Sequence, residues 1–107
     1  MEKRYDIPGI DAEEMQKLYA VFSDAPAISE VILYGSRAKG MYRPGSDIDL
    51  ALTGKNLSTA WLMELSAKID DLLLPYAVDL SILDHIENQD LRDHINRVGK
   101  VVFSHGK

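Results

Sequence analysis

Gly35-Ser36-Arg37-Ala38-Lys39-Gly40-Met41-Tyr42-Arg43-Pro44-Gly45-Ser46-Asp47-Ile48-Asp49 is a Gly-Ser pair, ten residues, and then two aspartates one residue apart. Asp47 and Asp49 alternate with Ile48, Leu50 and Leu52. Read as a strand, the run has a period of two that sends both carboxylates to one face and the aliphatic side chains to the other. Two acids side by side on a strand make a cation site. The other end of the stretch supplies what an anion needs: a glycine that lets backbone approach closely, a serine that can cap a helical turn, and Arg37 and Lys39 just behind. Phosphate is expected at one end and metal at the other.

The flanks predict alternating elements. After the Pro8-Gly9 turn, Asp11 with Glu14 forms a capping box, and Met15, Leu18, Tyr19 and Phe22 keep helical spacing, so a helix is expected over 11 to 24. Residues 30 to 34 read as a short buried strand running into Gly35 and a helical turn capped by Ser36 and stopped at Gly40. Pro44-Gly45 turns the chain into a strand over 47 to 53. Ser58 can cap a second helix whose stripe is Trp61, Leu65, Ile69 and Leu72, ended by Pro75. In the next strand, 77 to 83, Val78, Leu80 and Ile82 share one face and leave Asp79 and Ser81 on the other. A strand, helix, strand unit makes a right-handed parallel crossover, which sets the Asp79 strand beside the Asp47 strand with three acids converging. The two motif strands, joined by only a dozen residues, are expected to be antiparallel, giving a mixed sheet. A third helix over 87 to 98 turns Leu91, Ile95 and Val98 inward, stops at Gly99, and leads to a terminal strand at 101 to 103. Its Asp90, Arg92, Asp93, His94 and Arg97 read as a solvated face. His85, His94 and His105 are scattered rather than spaced like a metal site.

The chain has 107 residues, which makes one domain, 1–107. It has no cysteine, which rules out disulfides and cysteine-ligated zinc and fits a cytoplasmic protein. No signal peptide or membrane span is evident, so a soluble intracellular protein is expected. A net charge of −5 argues against broad nucleic-acid binding, which needs a basic footprint. Locally the balance reverses: from Gly35 to Ser46 there are three cations, Arg37, Lys39 and Arg43, and no acid.

The Gly35-Ser36 pair, the ten-residue spacer, Asp47-Ile48-Asp49, a hydrophobic strand before each part, and a third acid within Val78-Asp79-Leu80-Ser81-Ile82-Leu83 together resemble the DNA polymerase β-type nucleotidyltransferase superfamily, and within it the minimal nucleotidyltransferases. The motifs cover residues 30 to 83, and the size fits the whole chain. The resemblance implies an α+β fold, a mixed β-sheet with helices packed against it. It also implies magnesium-dependent transfer of a nucleoside monophosphate, AMP from ATP, to a hydroxyl acceptor. Asp47 and Asp49 would bridge two Mg2+ ions and Asp79 would complete the site of the ion that activates the nucleophile. Gly35 and Ser36 would hold the β- and γ-phosphates through backbone amides and the serine hydroxyl. Arg37 and Lys39 would stabilise the leaving group, with Arg43 in reserve. A basic loop beside acidic ligands suits a nucleoside triphosphate better than a polymer. Minimal nucleotidyltransferases are commonly the antitoxin half of a two-component module with an all-helical HEPN-domain toxin, and some adenylylate that partner on tyrosine. Two other functions compete: a non-catalytic binding module that neutralises a toxin by contact, and small-molecule transfer as in aminoglycoside nucleotidyltransferases. The intact acids weigh against the first of these. The second needs a substrate-binding domain from a second polypeptide.

Overall fold

A computed structural model describes residues 2–105. The elements are β1 (Lys3–Arg4), α1 (Ala12–Ser23), β2 (Ile28–Tyr34), β3 (Ile48–Gly54), α2 (Thr59–Asp70), β4 (Val78–Ile82), a 3-10 turn at Leu83–His85, α3 (Gln89–Val98) and β5 (Lys100–Ser104). The strands make one mixed sheet in the order β1-β5-β2-β3-β4. β2 and β3 are antiparallel, as their short connection requires, and β3 and β4 are parallel, joined through α2. The fold is α+β. Among the described residues no helix is long and apolar enough to cross a membrane.

Each helix starts on the cap its sequence offers. Asp11 Oδ1 accepts the Glu14 amide at 2.9 Å, Ser58 Oγ the Trp61 amide at 3.1 Å, and Asn88 Oδ1 the Leu91 amide at 3.1 Å. α2 stops at Asp70 rather than running on to Pro75. Its end tightens into i to i+3 bonds, from Leu72 to Ile69 and from Leu73 to Asp70, and Leu73 turns to φ 55°, which breaks the helical path. β1, only two residues long and exposed, carried no pattern to read.

Strand parity divides the core in two. Val31 and Leu33 of β2, Ile48, Leu50 and Leu52 of β3, and Ile82 of β4 face α1 and α2, where they meet Met15, Leu18, Phe22, Leu65 and Ile69. The opposite parity, Ile32, Tyr34 and Ala51, faces α3 through Leu91 and Ile95. The expected split of β4 is present: Val78 and Leu80 pack with the first cluster, which leaves Asp79 and Ser81 on the α3 face. That face carries the acids.

Candidate active site

The parallel register of β3 and β4 sets Asp49 directly beside Asp79, and Ala51 beside Ser81. Neighbouring strands lie about 4.8 Å apart, so the two carboxylates spring from adjacent points of one face. Asp47 is not in the strand. It immediately precedes Ile48, where β3 begins, and it is exposed. It still acts on the same charge. Burial first, then Asp79, then Asp47 push the Asp49 carboxyl above the usual carboxylate range, while His94 pulls the other way. A cation between these groups would offset the repulsion from Asp79 and Asp47. Among the described residues, no group of three or more His, Cys, Asp or Glu side chains is placed to hold a metal ion by itself. Magnesium usually takes one or two carboxylates and fills its remaining positions with water and substrate phosphate oxygens, and Asp49 and Asp79 are donors of that kind. The hard oxygen donors and the absence of cysteine suit the same ion.

Gly35 follows β2 with φ +77°. A side chain there would be strained, and its first carbon would fall on Asp49 Oδ2. The glycine therefore lets the turn and the acid touch. The turn itself differs from the expectation in three ways. Residues 36 to 40 form hydrogen-bonded turns, with Lys39 bonded to Gly35 at 3.2 Å, Gly40 to Arg37 at 3.2 Å and Met41 to Ser36 at 2.9 Å, and no regular helix. So there is no helix here for Ser36 to cap and no run of aligned peptide dipoles behind it. The Gly35 amide is also engaged: it donates to His94 Nε2 at 3.2 Å and does not stand open to a phosphate.

Arg37 is the third correction. Expected at a leaving group, it is 1% exposed. Its Nη2 and Nε donate to the Ser46 carbonyl at 2.7 and 3.2 Å, and Nη1 donates to the Pro8 carbonyl at 2.7 Å. The rings of Tyr42 and Tyr76 each lie 5.1 Å from the guanidinium carbon. Such a cation closes the loop from 37 to 46 and ties it to the N-terminal segment. Ser36, Lys39 and Arg43 are exposed beside it. The basic charge that can meet a substrate therefore lies on Lys39 and Arg43. Arg43's amide and carbonyl are both bonded to Ser46, at 2.8 and 2.9 Å, across the Pro44-Gly45 turn.

Several neighbours escaped the sequence reading. Tyr34 packs beneath the acids with its hydroxyl on Ser81; burial, then Asp49 and Asp79, raise its pKa against the lowering effect of that bond. His94 stands edge-on to Tyr34, with ring centres 6.2 Å apart at 80°. Its position was available in the pattern: 91, 94, 95 and 98 form one helix face, so His94 belongs with Leu91 and Ile95 rather than with the solvated side. For Tyr42 and Tyr76 nothing local pointed to a shared cation. With Asp47 and Asp79 exposed and Asp49 half-buried, the acids line an open surface. A cavity of about 480 Å³ lies at the far end of the sheet, among Ser29, Lys55 and His105.

The chain matches a family model over residues 16–107, described as Polymerase beta, Nucleotidyltransferase. No significant match is found among curated proteins. Among solved structures, a toxin–antitoxin with AMP-PNP contains a chain 26% identical to this one, with a TM-score of 0.68, covering 86% of this chain and 73% of that one. A complex of tri-AMPylated Shewanella oneidensis HEPN toxin with MNT antitoxin is similar at 24% identity and a TM-score of 0.63, covering 89% of this chain and 71% of that one. The toxin–antitoxin MntA-HepT follows at 23% identity and 0.64, covering 91% and 74%.

Proposed function

The chain belongs to the polymerase β nucleotidyltransferase family, and on that premise we propose that it transfers AMP from magnesium-bound ATP to a tyrosine hydroxyl of a small helical HEPN partner, acting as that partner's antitoxin. The observation that carries the reading is the register of Asp49 and Asp79, side by side on the face that Gly35 approaches, with Asp47 adding its charge. Two magnesium ions, when bound, would neutralise charge on the attacking and leaving oxygens. Asp47 and Asp49 would hold them, and Asp79 would complete the position nearer the acceptor. Ser36 and Lys39, exposed at the turn, face the β- and γ-phosphates. The acceptor oxygen bonds to the α-phosphorus, the bond to the bridging oxygen breaks, pyrophosphate leaves, and Asp79 takes the acceptor's proton. Arg37 contributes by holding the loop and not by touching phosphate.

The open surface at Asp79 supports a macromolecular acceptor: the exposed acid is not enclosed by the described residues, whereas a partner's tyrosine brings its own walls. The AMP-PNP bound in the toxin–antitoxin at 26% identity supports the nucleotide, and the tri-AMPylated HEPN toxin, found with a chain of this fold, supports the acceptor. Intact-mass spectrometry of the partner, after incubation with this protein, ATP and magnesium, tests the reading. The expected result is addition of adenylyl groups by wild type and none by Asp47→Asn. An unmodified partner that both proteins neutralise equally would replace transfer by neutralisation through contact.

A further inference from the structure

We infer that His94 is a positioning residue of the Gly35-Ser36 turn: by accepting the Gly35 amide it sets the direction in which the turn leaves β2, and with it where the phosphates sit relative to the acids. This rests on the nucleotidyl-transfer reading above. The ladder between β2 and β3 ends at Tyr34, paired with Asp49, so the Gly35 amide is the first beyond the sheet and must find its partner elsewhere. Glycine is also the residue whose backbone is least constrained, and a φ of +77° leaves this peptide free to rotate unless something holds it. His94 Nε2 holds it, at 3.2 Å, from 59 residues along the chain.

The imidazole is itself well anchored. It sits one turn after Leu91 and beside Ile95, which is 2% exposed in the cluster with Tyr34 and Ala51. The Tyr34 ring fixes its edge. Since Nε2 acts as acceptor, the ring proton of the neutral form resides on Nδ1. The arrangement joins three elements at one point: β2 ends there, Asp49 of β3 touches Gly35, and α3 delivers the acceptor. His94 bonds to Gly35 and through it sets the turn. With that amide engaged and the Lys39, Gly40 and Met41 amides bonded within the turn, its exposed donors are the Ser36 hydroxyl and the Lys39 ammonium. A loose Gly35 peptide would let them swing away from the phosphates.

Ring-nitrogen and amide NMR on the unligated protein, followed by magnesium-ATP titration, tests this with wild type, His94→Ala and His94→Gln. Wild type should show Nε2 unprotonated and Nδ1 protonated. In His94→Ala the Gly35 and Ser36 amides should exchange with solvent about five- to tenfold faster, the factor that one net hydrogen bond carries. The KM for ATP should rise by a similar factor with kcat changed less. His94→Gln, whose amide oxygen can accept the same bond, should recover most of both. A protonated Nε2 in wild type, or Gly35 exchange unchanged in His94→Ala, overturns the inference. If wild type takes up no magnesium-ATP, the transfer reading fails, and the exchange rates alone then decide: faster in His94→Ala upholds the positioning, and unchanged rejects it.

Discussion

Arg37 and Lys39 lie two positions apart in the same basic loop and do different work. The Arg37 guanidinium is sealed between two tyrosine rings and bonded to two carbonyls, so its removal leaves polar groups of the loop without partners. Arg37→Ala should cost about 3 kcal/mol of stability, from lost charge-assisted bonds and cation–π contacts. Lys39→Ala should leave the melting temperature unchanged and weaken magnesium-ATP binding. Thermal melts and titration calorimetry check the pair, and an Arg37→Ala protein that melts with wild type would remove the clamp. Asp49 gives a prediction of opposite sign. Its carboxyl is held above the ordinary range, chiefly by burial, so the folded state grips its proton more tightly than the unfolded state does. That contribution is present in acid and is lost as pH rises from the ordinary carboxylate range through the raised folded value. In the absence of magnesium, Asp49→Asn should therefore melt higher than wild type at neutral pH, the gap closing on acidification, while transfer is abolished. Melting curves across pH, read beside pyrophosphate release, test both halves.

At the level of elements, the caps are local, and those at Asp11 and Ser58 were legible while Asn88 went unread. Asp11, Ser58 and Asn88 each accept the amide three residues on. Ser58→Ala and Asn88→Ala should each cost about 1 kcal/mol, and the double variant should show the sum, because the caps serve separate helices. Denaturant midpoints measure this, and a strongly non-additive double variant would mean that the helix starts are coupled. The alternation of β4 and the parallel crossover were legible for the same reason: periodicity and connection length are properties of neighbouring residues. Asp49 beside Asp79 followed from them. What failed to read was whatever depends on distant partners. The Arg37 side chain finds Pro8 and Tyr76, far away on both sides in sequence, and its exposure cannot be inferred from a run of basic neighbours. His94 meets Gly35 across 59 positions, and only its helix face hinted at the contact. The turn after Ser36 looked helical because its caps were right, yet it lacks the length over which helical bonds become self-supporting. Asp47 fell outside β3 because the Pro44-Gly45 turn and its Ser46 bonds occupy the residues leading into the strand.

For the whole molecule, the acids make the unligated fold carry a cluster of like charge, and a bound ligand should remove that handicap. Magnesium with ATP should stabilise the fold through mass action, by about 2.7 kcal/mol at a hundredfold excess over the dissociation constant, and so raise the melting temperature. Either alone should do less, since ATP without the ion meets carboxylates and the ion without ATP lacks phosphate oxygens. Scanning calorimetry with each component in turn reads the difference, and equal shifts for ATP with and without magnesium would argue against a shared site. One feature of the loop reaches further. Because a single guanidinium grips the Ser46 carbonyl and spans back to Pro8, the exposed tip near Met41 and the Pro44-Gly45 turn is bounded by fixed ends. Lengthening such a tip costs little, about 0.6 kcal/mol for each doubling. The tip can therefore change its length and its surface residues while the clamp at its base and the acids beyond it keep their places, so that this part of the surface is free to vary without disturbing the sheet.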